Sequence, residues 1–61
     1  MKRVDLDGRT FIVLFHDTGK PRSIKERKWR AGRIYDASYW HHSRGFTQGS
    51  IPDRVLTRAA L

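Results

Sequence analysis

The chain has no cysteine. Disulfides and thiolate metal sites are excluded, and nothing points to an oxidising compartment. Proline occurs only twice, and negative charge is scarce, with six acids against thirteen lysines and arginines. Long apolar runs are missing too. The longest, "FIVLF" at residues 11–15, falls far short of the roughly 20 residues that span a bilayer. No signal-type apolar segment with a small-residue cleavage site follows the opening "MKRVDLDG". These absences lead us to expect a soluble, cytoplasmic protein with no membrane partner. The 61 residues read as one small basic domain, 1–61, of marginal stability. A second domain or a large catalytic cavity is not expected at this length.

What the chain does have is positive charge, and it is clustered. The formal net charge is +7. Residues 20–33, "KPRSIKERKWRAGR", hold seven basic residues and one acid, Glu26, and so carry +6 of that total. The remainder is close to balanced, with six basic residues and five acids. A solvated charged face would explain this plainly. Positive charge also favours a polyanionic partner: nucleic acid, an anionic membrane surface, or an acidic protein that imitates nucleic acid electrostatically.

The pattern of apolar residues predicts a small α+β fold. "RVDL" (3–6) and "RTFIVLFH" (9–16) flank Asp7-Gly8, a pair suited to a type I′ hairpin turn because both central positions need positive φ. A two-residue turn sets Leu6 opposite Arg9 and Val4 opposite Phe11. Val4, Leu6, Phe11, Val13 and Phe15 then share a core face. The reverse face carries Ile12 and Leu14, which predicts a covering element, a partner or a homodimer through that face.

"DTGKP" (17–21) reads as a turn. Ser23-Ile24-Lys25-Glu26 matches a capping box, and Gly32 stands where a helix would end. This predicts a short basic helix over 24–31, with a third strand or an ordered loop as the alternative. "RIYDASYWHH" (33–42) contains good strand residues at Ile34, Tyr35, Tyr39 and Trp40, but Asp36 could also cap a short helix. Residues 43–52 read as loop. Ser50 then caps a C-terminal helix, with Pro52 in its first turn and an apolar stripe of Ile51, Val55, Leu56, Ala59 and Ala60. The expected fold is an antiparallel hairpin, with or without a third strand, a short basic helix, and a C-terminal helix packed on the sheet.

Candidate chemistry centres on the basic segment. Lys20, Arg22, Lys25, Arg27, Lys28, Arg30 and Arg33 can contact phosphates, and Trp29 among them can stack on a base. Six phosphate contacts would give a log–log salt slope of roughly −5 on duplex DNA. Tyr35, Tyr39, Trp40 and Phe46 follow closely, but a domain this small needs most of its aromatic rings inside. His41 and His42 are adjacent, and neighbouring histidines do not easily hold one metal ion together. No metal and no cofactor is expected. Neither a phosphate-binding loop nor a Ser/His/Asp set is present.

Two loose resemblances bear on function. "HHSRGF" through "GSIPDRVLTRAAL" loosely resembles the His-containing strand and closing helix of small HicA-type messenger-RNA-cleaving toxins, over fewer than half the residues and without that family's opening helix. It would make His41 or His42 catalytic in RNA cleavage. "PRSIKERKWRAGRI" loosely resembles the recognition-helix region of phage excisionases, which would imply a DNA-bending accessory protein. The leading expectation is a non-enzymatic nucleic-acid-binding protein, for DNA or RNA, accessory or regulatory in the manner of phage-like and mobile-element proteins. A module or inhibitor that binds an acidic protein surface is the alternative, and a small ribonuclease-like toxin comes third.

Overall fold

A computed structural model describes residues 1–61. Four antiparallel strands form one sheet in chain order: β1 (Lys2–Leu6), β2 (Arg9–Phe15), β3 (Pro21–Arg30) and β4 (Arg33–His41). A 3-10 turn, His42–Arg44, leads through a loop to the single α-helix, α1 (Ile51–Ala59). The α+β class holds, with four strands instead of two or three.

The first hairpin follows its turn chemistry. Asp7 and Gly8 take φ values of 53° and 74°, and Leu6 pairs with Arg9 and Val4 with Phe11. The helix also starts as its cap dictates, with the Ser50 hydroxyl accepting from the Asp53 N–H and Pro52 in the first turn.

The short basic helix over 24–31 is not formed. Those residues lie in β3 and its turn, paired with β2 on one side and β4 on the other. A two-turn helix there would bury little more than Ile24. As a strand, the segment completes two backbone ladders and places Ile24, fully buried, between Val13 and Trp40. Packing therefore overrides a local capping signal. Gly32 is not a helix end but half of a second tight turn, Ala31-Gly32, at φ 50° and 74°, which sets Arg30 opposite Arg33. A left-handed glycine serves either purpose, so the sequence signal was ambiguous.

Alternation along the strands divides the sheet into two faces. Val4, Leu6, Phe11, Val13, Ile24 and Trp40 meet Val55 and Ala59 of α1 on the inner face. A register shift between Ile24 and Lys25 leaves Tyr39 as an extra residue on β4. This bulge turns Tyr39 and Trp40, though consecutive, both onto the core. Trp40 is fixed there by its Nε1–H donating to the Gly45 carbonyl at 2.9 Å and by the Phe46 ring 5.8 Å away.

Glu26, the one buried charged residue, sits where the helix stops covering this face. Arg9 grips it with two hydrogen bonds, Nε to Oε2 and Nη2 to Oε1, both 2.9 Å. The Arg9 guanidinium also lies 5.0 Å from the Phe11 ring centre and 5.3 Å from that of Tyr39. These hydrogen bonds from Arg9 hold the Glu26 carboxyl below the usual carboxylate range.

Two outcomes follow for stability. Ile24→Ala should cost about 2–5 kcal/mol, a large part of the roughly 3–9 kcal/mol expected of a domain this size, and urea denaturation should show it largely unfolded. The Arg9–Glu26 pair stabilises the fold fully above the pKa of an unfolded Glu, about 4.3, and the contribution is lost as pH falls through the lower folded value. Glu26→Gln should therefore lower the unfolding free energy from urea denaturation at pH 7 by about 1 kcal/mol, a modest figure because Arg9 remains 38% exposed. Its further decline between pH 5 and pH 2 should be shallower than that of the unchanged chain.

Candidate nucleic-acid interface

The helix covers β1 and β2 on the inner face, and beyond Glu26 the β3–β4 hairpin continues without cover. Every residue from Arg27 to Asp36 is exposed. The basic segment is thus distributed along a strand instead of around a helix, and it falls into three groups.

Lys20 lies in the turn before β3, and Arg22 lies near the start of that strand. Lys25 and Arg27 point to the outer face, beside Ile12 and Thr10 respectively. Lys28, Arg30 and Arg33 gather at the hairpin end on the inner-face side, with Tyr35 opposite Lys28 and Arg33 opposite Arg30. Trp29 faces the other way and pairs across the ladder with Ile34. The hairpin end therefore has one cationic side and one apolar side. Sequence reasoning had selected Trp29 but not its partner Ile34. The signal was there, an apolar residue two places beyond a glycine turn, but it is visible only once Ala31-Gly32 is read as a hairpin turn.

Ion pairing decides which cations are free. Of the seven in the segment, only Arg27 has an acid within 4.0 Å: Asp36, directly across the ladder at 3.0 Å. The hydrogen bonds from Arg27 hold the Asp36 carboxyl below its usual range. Lys20, Arg22, Lys25, Lys28, Arg30 and Arg33 have no acidic partner.

On the outer face Ile12 is only 6% exposed and Leu14 is half-buried. Arg3 and Asp5 are paired there at 3.3 Å, and the Thr10 hydroxyl donates to Asp5 at 2.9 Å.

The three histidines come together at the opposite end of the sheet. His16 Nε2 lies 3.3 Å from His42 Nδ1, and the His41 and His42 rings are centred 4.2 Å apart. His16 joins them through the β2–β3–β4 register, which no local motif announces. His41 Nδ1 accepts from the Ser43 N–H at 3.3 Å and so caps the 3-10 turn. The other His42 contact is with the Arg22 carbonyl, 3.3 Å from Nδ1. No carboxylate orients any of these rings, and no group of three or more His, Cys, Asp or Glu residues is disposed to hold a metal ion. Nearby Asp53 instead accepts from the Gly49 N–H at 2.8 Å in the helix cap.

No protein-family model matches the chain, and neither a curated protein nor a solved structure matches it.

Asp36→Asn tests whether Arg27 is held back by its partner. The released guanidinium should tighten duplex-DNA binding severalfold and steepen the log–log salt slope by about 0.9. Fluorescence anisotropy across a salt series would measure both, and an unchanged slope would mean that Arg27 does not face the ligand.

Proposed function

We propose that the chain is a non-enzymatic nucleic-acid-binding protein whose β3–β4 hairpin and adjoining outer face supply the phosphate contacts. The observation that carries this reading is the placement of the unpaired cations. Lys28, Arg30 and Arg33 stand together at the end of an uncovered hairpin, and none of them is ion-paired to an acid. Lys25 extends the charge along the outer face, and Lys20 and Arg22 continue it at the far end of the strand. The free donors stand on both sides of one extended strand, Lys28 and Arg30 on the inner side and Lys25 on the outer, and long cationic side chains on such a ribbon can each neutralise a phosphate.

A core role for these side chains is removed by their exposure. A purely solubilising role does not account for Trp29 and Ile34, which are 69% and 60% exposed among them. An acidic protein surface would attract the same cations, and the binding experiment separates the two partners. Labelled duplex and single-stranded oligonucleotides should bind at micromolar concentration or below in low salt, with a log–log slope of roughly −4 to −5 on duplex. Lys28→Glu/Arg30→Glu should lose most of that binding while keeping the urea midpoint of the unchanged chain. Absence of binding to any oligonucleotide in low salt would overturn the reading and turn the search to an acidic protein.

A further inference from the structure

We infer that the Trp29–Ile34 side of the hairpin end is an apolar wedge that enters double-stranded DNA, partly unstacks one base step and bends the duplex. The inference rests on the nucleic-acid reading above and names its ligand.

The geometry that points to it is local. Trp29 and Ile34 are directly opposed in the β3–β4 ladder, one pair back from the Arg30–Arg33 pair that closes the turn. Both are largely solvent-exposed and neither belongs to the hydrophobic core. The two-residue turn keeps the hairpin only two strands wide, a ribbon that fits the major groove and is too broad for an unopened minor groove. Entry there requires the groove to open, and apolar side chains driven between base pairs accomplish that.

Charge is arranged to suit. The next pair behind the wedge on the same side is Arg27 with Asp36, an ion pair with no net charge. The unpaired cations Lys28, Arg30 and Arg33 lie on the opposite side of the same narrow ribbon. Their long side chains can reach past the strand edges to the phosphates on either rim while the apolar side faces the bases. Single strands are disfavoured as the main ligand. Stacking platforms present successive aromatic faces, and here the partner of Trp29 is a β-branched aliphatic residue.

A cross-strand apolar pair also steadies a hairpin, so the test must separate shape from insertion. Trp29→Val keeps a strong strand former in contact with Ile34 and removes the protruding ring. Trp29→Val/Ile34→Thr removes the apolar bulk while retaining β-branched residues. A short duplex carrying a donor and an acceptor dye at its two ends reports bending as increased energy transfer. The unchanged chain should raise the transfer on binding. The double variant should bind within roughly tenfold of the unchanged chain, with the same salt slope, and should raise the transfer little or not at all.

Equal bending by the double variant would overturn the wedge. So would duplex binding by the unchanged chain without any bend, or a clear preference for single strands. In those three cases the nucleic-acid reading stands. Failure to bind any oligonucleotide would remove both.

Discussion

A nine-residue helix is the main cover of this sheet, and the rest of the structure follows from its length. At 1.5 Å per residue α1 reaches about 13.5 Å, whereas the ten residues of β3 extend roughly 33 Å. Only the part of the inner face around Val4, Leu6, Phe11, Val13 and Ile24 can be sealed. The boundary needs a residue pair that is apolar towards the core and polar towards water. Arg9 and Glu26 meet that demand: their charges satisfy one another, and the guanidinium lies against Phe11 and Tyr39. Beyond that boundary no side chain is required for the core.

That freedom separates the two halves of the β3–β4 hairpin. Near the histidines the strands are constrained by packing, and β4 even bulges to bring Tyr39 and Trp40 onto the core together. Near the turn, stability rests on ladder hydrogen bonds and on cross-strand pairs, each contributing about 0.2–1 kcal/mol. Arg27 with Asp36 is one such pair and Trp29 with Ile34 another. Charged residues at the rim of a sheet also discourage edge-to-edge aggregation. An exposed tryptophan and isoleucine do the reverse, so the hairpin end is not explained by that protection alone.

The legible parts of the sequence were those where one local signal had one meaning. Asp7-Gly8 between two apolar runs is a hairpin, and Ser50 before Pro52 and an apolar stripe is a helix start. The illegible part was the basic segment. Ser23 and Glu26 have capping-box spacing and Gly32 suits a helix end, yet the same residues serve a central strand and a type I′ turn. Only the long-range need to place Ile24 between Val13 and Trp40 decides between these, and periodicity within the segment carries no record of it. The candidate cations survived the change of element because charge depends little on secondary structure. Their grouping did not, since a strand sends Lys28 and Trp29 to opposite sides. The meeting of His16 with His42 depends wholly on strand register and could not have been read in advance.

The acids complete the account of the charge. Asp5 pairs with Arg3, Asp7 with Arg54, Glu26 with Arg9 and Asp36 with Arg27. Asp53 holds the helix cap through the Gly49 N–H. Five of the six acids are therefore engaged in structure: joining β1 to β2, fastening the helix to the first turn, closing the core boundary, bracing the hairpin, and starting the helix. None is ion-paired to Lys28, Arg30 or Arg33. A net charge of +7 states only that cations outnumber acids. Because the acids are held at these structural positions, the surplus is displaced towards β3 and the hairpin end, the part of the molecule that the helix does not reach. A partner of opposite charge would meet the protein there first.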